Sequence, residues 1–153
     1  MKHFYQVLLA VMLLPLFSLA QSNYKPGYIV TLKGDTVRGF IDYKEWNLTP
    51  TFINFKTAIS DNKSRKFTPA EISFFNINGL EAYQRYTGPI SMDVTDERRI
   101  SNSRDTSFNT VTVFFKVLQK GANLALYSYS DELKLRLFVV EGTDAPVELV
   151  YRL

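Results

Sequence analysis

Short runs of β-branched and aromatic residues, divided by turns that contain glycine, are the feature that most restricts how this chain can fold. Val, Ile, Thr, Phe and Tyr favour strands, and the chain holds 12 Phe and 9 Tyr. The turns Gly34-Asp35 and Asn78-Gly79 each lie between two such runs, as in tight β-hairpins. We therefore predict an all-β fold of antiparallel hairpins and a meander, with about eight strands forming a sandwich or a partly open barrel.

The first hairpin is predicted to have Gly34-Asp35 as a two-residue loop, because glycine accepts the positive φ that a type II′ turn needs. This loop places Lys33 opposite Thr36 and Leu32 opposite Val37. One face of the hairpin would then carry most of the apolar side chains, namely Tyr28, Val30, Leu32, Val37, Ile41 and Tyr43.

The second hairpin is predicted around Asn78-Gly79, a dipeptide typical of type I′ turns. Its register places Ile77 opposite Leu80 and Phe75 opposite Ala82. Apolar pairs then occur on both faces, as expected for two interior strands.

The last third of the chain is predicted to be a meander over residues 111–119, 124–130 and 134–140. The predicted turns set Tyr127 opposite Leu137. A further strand from 147 would run to Leu153, and we expect the chain to be either a shortened gene product or the front part of a longer protein.

Two segments are predicted to be irregular. Thr68-Pro69-Ala70-Glu71 has an N-cap residue, a proline at the first helical position and an acid in the first turn, so one short helical turn is expected near Pro69. Residues 91–109 are polar and charged, and we expect either a mobile loop or one short strand around 92–95.

The N-terminus has the layout of a signal peptide. Met1-Lys2-His3 is a basic start, Val7 to Phe17 is an apolar run of 11 residues, and Ser18-Leu19-Ala20 is a small-x-small cleavage site. A membrane span needs about 20 apolar residues, so cleavage after Ala20 is favoured over anchoring. We predict an exported protein that is periplasmic, outer-membrane-associated or extracellular, with residues 21–153 as one β-rich domain and no transmembrane helix after cleavage.

Composition excludes several kinds of chemistry. The chain has no Cys, and its one histidine, His3, lies in the predicted leader. The mature protein would therefore lack thiolate nucleophiles, imidazole bases and Cys or His metal ligands, so we expect no enzyme, no metal and no cofactor. The formal net charge of +3 is dispersed along the chain, and we expect no nucleic-acid partner.

Four aromatic residues are candidates for a ligand platform: Tyr43 with Trp46, and Tyr83 with Tyr86. Planar rings can stack on a sugar, but Trp and Tyr also occur in ordinary cores and hairpins. Three carboxylates, Asp93, Asp96 and Glu97, are the candidates for glycosidase-like or calcium-binding chemistry. A solvated loop of mixed charge is the competing interpretation, since Arg98 and Arg99 follow at once.

The segment from Gly27 to Tyr43 has the pattern G-x-I-V-x-x-x-G-D-T-x-x-G-x-I. It resembles the opening of an uncharacterised group of secreted proteins of Bacteroidota, and residues 67–72 and 148–152 are similar to that group as well. The resemblance implies a secreted β domain, which in many members precedes sequence that is often barrel-like and outer-membrane-associated. It implies no catalytic residue, because the shared motifs are turn glycines and strand residues.

Three hypotheses about function follow. The first is a non-enzymatic exported domain that docks on a cell-envelope partner, such as an outer-membrane protein, through an exposed strand edge. The second is a glycan-binding module that uses Trp46 and the nearby tyrosines. The third is a hydrolase that acts through the carboxylates of residues 93–105.

Overall fold

The computed structural model describes residues 23–93 and 107–150, which form ten β-strands and no helix. The strands are β1 Tyr24–Thr31, β2 Thr36–Asp42, β3 Ile53–Lys56, β4 Arg65–Phe67, β5 Ile72–Ile77, β6 Ala82–Ser91, β7 Phe108–Lys120, β8 Leu124–Ser130, β9 Leu135–Glu141 and β10 Val147–Glu148. In this part of the chain there is no helix able to cross a membrane. The all-β prediction is confirmed, and the predicted signal peptide lies outside the described residues.

All ten strands belong to one antiparallel sheet with the order β10-β9-β8-β7-β6-β5-β1-β2-β3-β4. Strands that follow each other in the chain pair with each other, except that β5 returns to the second edge of β1 rather than pairing with β4. The chain therefore makes one meander from β1 to β4 and a second from β5 to β10. β4 has no counterpart among the predicted strands, because three residues are too few for a recognisable alternation.

The first hydrophobic core lies on one face of the sheet, which we call face 1. Phe75 on β5 is directly opposite Tyr83 on β6, and their rings stack with centroids 4.6 Å apart. Eight further apolar residues from strands between β1 and β7 complete this core: Ile29, Ile41, Ile53, Phe55, Phe67, Ile72, Ile77 and Phe114.

The second core lies on the opposite face, which we call face 2. Phe115 follows Phe114 on β7, and successive side chains of a strand point to opposite faces. Phe115 accordingly packs with Tyr86 and Phe138, not with the first core. The other buried members are Ile90, Ala125 and Tyr127.

Two long-range contacts, one on each face, indicate that the two halves of the sheet curl over opposite faces. On face 1, Arg85 of β6 donates its Nε–H to the Pro69 carbonyl oxygen in the β4–β5 connection (2.7 Å). On face 2, Ser91 at the end of β6 bonds to Glu148 of β10. The described residues leave β4 and β10 as edges, so the sheet remains open.

The predicted register of the first hairpin is wrong. The loop has three residues, 32–34, and is closed by the Thr31 N–H donating to the Asp35 carbonyl oxygen. Gly34, at φ 93°, is its last residue, as in the common three-residue loop in which a left-handed residue follows a turn. Ile29 therefore lies opposite Val37, and Ile29 and Ile41 are buried while Leu32 is exposed.

The second hairpin shows the same kind of error. Its loop is residues 78–80, closed by the Ile77 N–H donating to the Glu81 carbonyl oxygen. Gly79 has φ 72° but Asn78 does not have positive φ, so the turn is not type I′. Phe75 therefore faces Tyr83 instead of Ala82.

The third register is shifted by one residue, as is that of the second hairpin. The β8–β9 loop spans 131–134, one residue more than predicted, because the Asp131 carboxylate accepts the N–H groups of Leu133 and Lys134. As a result Tyr127 lies opposite Phe138 rather than Leu137.

The segment near Pro69 forms one turn, and the strands that flank the second segment extend further than predicted. Near Pro69 a single hydrogen-bonded turn forms, in which the Thr68 carbonyl accepts from Glu71 and the Glu71 carboxylate accepts from the Thr68 N–H, and no helix follows. β6 and β7 extend to the pair Ser91–Phe108. Residues 92 and 93 are not in a strand, and residues 94–106 lie outside the described residues.

Candidate functional site

Three of the four candidate platform residues converge. Trp46, in the connection between β2 and β3, has ring centroids at 5.4 Å from Tyr43 and 5.8 Å from Tyr83. Both contacts are edge-to-face, and a third edge-to-face contact joins Trp46 to Phe75. These favourable aromatic geometries hold the indole in one position at the margin of the first core.

Tyr86 does not belong to this group. It is three residues from Tyr83 on β6 and therefore points to face 2. Its ring stacks on Phe115 at 4.1 Å, and its hydroxyl donates to the Pro89 carbonyl oxygen. The predicted platform is thus divided between the two cores.

Tyr83 is a buried, neutral phenol. Its hydroxyl donates to the Glu81 carboxylate at 2.7 Å, and Glu81 also bonds to the ammonium group of Lys116. Burial raises the pKa of Tyr83 far above its ordinary value, and the hydrogen bond and charge of Glu81 raise it further. Burial and the Glu81 charge raise the pKa of Tyr43 as well. Neither phenol ionises near neutral pH, so neither can act as a base there.

A cavity of about 300 Å³ lies beside Trp46 and is formed by one continuous stretch of chain. Its lining combines apolar and polar side chains, namely Asp42, Lys44, Trp46, Asn47, Leu48, Thr49, Pro50, Thr51, Phe52, Ile53 and Asn54. Asp42 accepts a hydrogen bond from the Asn54 amide (3.4 Å) and lies 3.5 Å from the Lys44 ammonium group. Binding sites for small molecules commonly have such a mixed lining.

The backbone around this cavity is anchored to the end of β8. Thr49 donates its N–H to the Ser130 carbonyl oxygen and accepts the Ser130 N–H on its hydroxyl, both at 2.9 Å. Glu45, next to Trp46, has φ 49°, which is uncommon for a residue other than glycine. Such strain persists only where surrounding contacts enforce it, and it is found disproportionately at binding sites.

A cluster of buried charges lies at the other end of the sheet, on face 2. The Lys134 ammonium group contacts Asp93 at 2.5 Å and Glu148 at 4.0 Å, while the Arg136 guanidinium contacts Asp131 at 2.9 Å and Glu148 at 3.9 Å. The Lys134 and Arg136 side chains are 6% and 0% exposed. Two cations and three carboxylates therefore share an interior region, where breaking one pair is costly.

Backbone and hydroxyl groups complete the cluster. Arg136 donates from Nε to the Ser91 carbonyl oxygen (2.9 Å), and Ser91 donates its N–H to Glu148 (2.8 Å). Arg136 Nη2 is buried and has no hydrogen-bond partner. The cluster thus joins the end of β6 to β9 and β10.

The cluster lowers the pKa of its two partly exposed carboxylates, Asp93 and Asp131. Burial raises the pKa of Asp93, but the hydrogen bonds from Lys134 and Ser91 and the Lys134 charge outweigh this, so the pKa lies below its ordinary value. Burial likewise raises the pKa of Asp131, and hydrogen bonds from Lys134 and Leu133 together with Arg136 lower it by more. A general acid needs a raised pKa, so this arrangement disfavours such a role for Asp93. The other two candidate carboxylates, Asp96 and Glu97, lie outside the described residues.

The sequence reasoning did not single out Lys134, Arg136 or Glu148. A signal was present, because Lys134 and Arg136 alternate with leucines and share a face with Phe138. Two cationic residues on the same strand face as a core phenylalanine indicate buried charges, and buried charges need ionic partners.

An apolar surface lies on face 1 of β8 to β10, and we call it the outer apolar face. Its members are Leu124, Leu126, Leu135, Leu137, Val139, Val147 and Leu149, which share one side by register. Four of them are more than half exposed, at 53–62%. Face 2 of β8 and β9 carries Tyr127 and Phe138 of the second core, so both faces of these two strands bear apolar residues.

Comparison of the chain with protein-family models, with curated proteins and with solved structures found no significant match.

Proposed function

We propose that the protein is an exported, non-enzymatic β domain that docks on a protein of the cell envelope through the outer apolar face. The exposure of Leu124, Leu135, Val147 and Leu149 on one side of three adjacent strands carries this proposal. Single exposed leucines are normal on protein surfaces, but contiguous apolar patches mark interaction sites.

The edge of the sheet at this surface suits a strand-pairing partner. β10 is two residues long, and its ladder to β9 consists of Val147 opposite Val139 and Glu148 opposite Phe138, followed by the Leu149 N–H donating to the Leu137 carbonyl. An extended segment of a partner could add to this edge by main-chain hydrogen bonds, while the leucines supply specificity. The buried charge cluster fixes Glu148, which keeps β10 in position for such pairing.

The leader sequence and the resemblance to secreted Bacteroidota proteins support the proposal of export. An envelope protein is proposed as the partner because the protein is proposed to be exported.

Photo-crosslinking in the producing cells tests the proposal. A photoreactive amino acid is placed at Leu135, which is 62% exposed on the outer apolar face, or at Leu80, which is 54% exposed in the β5–β6 turn. We expect position 135 to give one adduct with an envelope protein, and position 80 not to give it. The charge-introducing variant Leu124→Lys should suppress the adduct without lowering thermal stability, because Leu124 is 55% exposed.

Equal adducts at 135 and 80, or none at 135, would contradict docking through this face. An adduct with a cytoplasmic protein as the main product would contradict export.

Glycan binding is the second candidate function, and the cavity beside Trp46 favours it. Binding of the purified chain to a polysaccharide panel, lost on Trp46→Ala while the fold is retained by circular dichroism, is the expected result. A blank panel would remove this candidate and leave the docking proposal untouched.

A further inference from the structure

We propose that the cavity beside Trp46 takes one uncharged, hydroxyl-rich ring, the size of a single sugar unit of a glycan. This inference deepens the glycan-binding candidate and is independent of the outer apolar face. It is supported by the size and lining of the cavity and by the rigidity of the β2–β3 connection.

The size of the cavity limits the ligand. At about 300 Å³ it lies at the lower end of the range for small-molecule sites, roughly 300–1,000 Å³. One ring with its substituents fits this volume, while the rest of an oligosaccharide would extend into solvent.

The apolar part of the lining matches the C–H face of such a ring. Trp46 provides aromatic surface and Leu48 adds an aliphatic group, while one face of the Phe52 ring is covered by the Lys66 ammonium group, 3.8 Å from its centroid. Contacts with Tyr43, Phe75 and Tyr83 already hold the indole in place. The ligand therefore does not have to order this side chain, and affinity increases when that cost is avoided.

The polar part of the lining matches hydroxyl groups. A carboxylate accepts up to about four hydrogen bonds and an amide has both donors and an acceptor. The Asp42–Asn54 bond at 3.4 Å uses one of these positions on each group and aligns the two side chains at the cavity. A hydroxyl group, which both donates and accepts, can bond to this pair from either direction.

The charges at the cavity favour a neutral ligand. Asp42 carries a negative charge and Lys44 a positive one 3.5 Å away, so the local field is small. An anionic ring would meet the Asp42 carboxylate, and a cationic one would meet the Lys44 ammonium group. Asp42 and Lys44 are the two charged residues of the lining, and their charges offset each other.

The rigid backbone of the β2–β3 connection favours a binding site over a surface depression that has no ligand. Thr49 is fixed to Ser130 by two hydrogen bonds, and Glu45 is held at φ 49°. A connection with no role has no need of a strained residue, which costs about 1–3 kcal/mol.

Trp46 provides the readout, because the chain contains one tryptophan. The chain recovered from the producing cells is titrated with methyl glycosides of neutral hexoses and of N-acetylhexosamines, with glucuronate, and with glucosamine. We expect a saturable change in tryptophan emission with at least one neutral glycoside, with a Kd on the order of 1 mM. The charged rings should bind at least about fivefold more weakly.

Asp42→Asn is the decisive variant, since it keeps the shape of the side chain and removes its charge. Loss of charge-assisted bonds to hydroxyls should weaken binding about tenfold or more. Asp35→Asn, the same change at an exposed position in the β1–β2 turn, is the matched control and should leave binding unchanged.

Absence of a saturable response to every neutral glycoside overturns the inference, and so does equal affinity in Asp42→Asn and the unaltered chain. Polysaccharide binding that persists without a change in Trp46 emission would place glycan recognition elsewhere on the protein, so the cavity would fail while the glycan-binding candidate stands. A response to glucuronate or glucosamine stronger than to the neutral rings would contradict the assignment of ligand charge.

Discussion

Ser91 donates both its backbone N–H (2.8 Å) and its hydroxyl to the carboxylate of Glu148, although three strands of the sheet separate β6 from β10. This contact joins residues 57 positions apart and closes the second half of the sheet over its core. It also places Glu148 next to Arg136 and Lys134. The edge strand β10 therefore depends on a buried electrostatic cluster as well as on its short ladder.

The Glu148→Gln variant should lose about 2–4 kcal/mol of unfolding free energy. Its side chain is 8% exposed, and the neutral amide leaves the Arg136 and Lys134 charges short of one buried partner. Urea denaturation at pH 7 measures this difference. Glu141→Gln, an exposed position on β9, is the control and should change the free energy by less than about 0.5 kcal/mol. Equal values for the two variants would mean that the cluster adds nothing to stability.

The stability of the protein should fall as pH is lowered below about 4, in part because of Asp93 and Asp131. Burial raises the pKa of both groups, but their bonds to Lys134 and Arg136 lower it to below the unfolded value. A depressed folded pKa stabilises the protein above the unfolded pKa, and that contribution is lost as pH falls through the folded pKa.

Urea denaturation at several pH values from 7 to 3 checks this dependence. Replacement of the buried Lys134 by Met removes the partner that holds the pKa of Asp93 down, so the decline with acid should be less steep in Lys134→Met. An identical slope in the variant and the unaltered chain would show that Asp93 does not contribute to acid unfolding.

Composition was enough to predict most of the strands, though not β4, because a run rich in Val, Ile, Phe and Tyr favours extended backbone wherever it pairs. Register was not predictable in the same way, since one residue more in a loop moves every side chain to the other face. Gly34 ends a three-residue loop instead of beginning a two-residue one, and Asp131 closes a four-residue loop by its carboxylate. Each detail changed which face of one strand lies beside a given face of its partner strand.

The candidate sites were predictable only where the residues are close in sequence. Tyr43 and Trp46 are three residues apart, and their contact follows from that spacing together with a turn in the chain. Glu148 meets Ser91 because the sheet curls, and curling arises from the packing of the whole core rather than from any local pattern. Long-range clusters of this kind have no short motif in the sequence.

Gly39→Ala should destabilise the protein by about 1–3 kcal/mol, because this position has no room for a methyl group. A Cβ there would lie 2.2 Å from the Lys56 carbonyl oxygen and 2.5 Å from the Phe55 ring. Gly27, directly opposite Gly39 in the ladder, has a similar approach at 2.2 Å from the Asn76 carbonyl oxygen. Glycine at both positions therefore allows side chains of the first core to pack directly on the backbone.

Thermal denaturation of Gly39→Ala and Gly121→Ala measures this effect. At Gly121 the nearest atom to an added Cβ is the Leu124 carbonyl oxygen at 3.3 Å, so a change of less than about 0.5 kcal/mol is expected. If both variants lose the same stability, close backbone approach is not the reason for glycine at position 39.

Phe114 and Phe115 are adjacent in sequence but serve different cores, and this makes the two-faced architecture testable by a double-mutant cycle. Each Phe→Leu change should cost about 1–3 kcal/mol, because the residues are 0% and 2% exposed. Since Phe114 contacts Phe75 on face 1 and Phe115 contacts Phe138 on face 2, the double variant should show a coupling below about 0.5 kcal/mol.

The comparison cycle pairs Phe75→Leu with Tyr83→Leu, whose rings stack at 4.6 Å within one core, and should give a coupling of about 0.5–3 kcal/mol. A large coupling between the neighbours on β7, equal to that of the stacked pair, would mean that the two clusters unfold as one packed unit and that the sheet does not separate them.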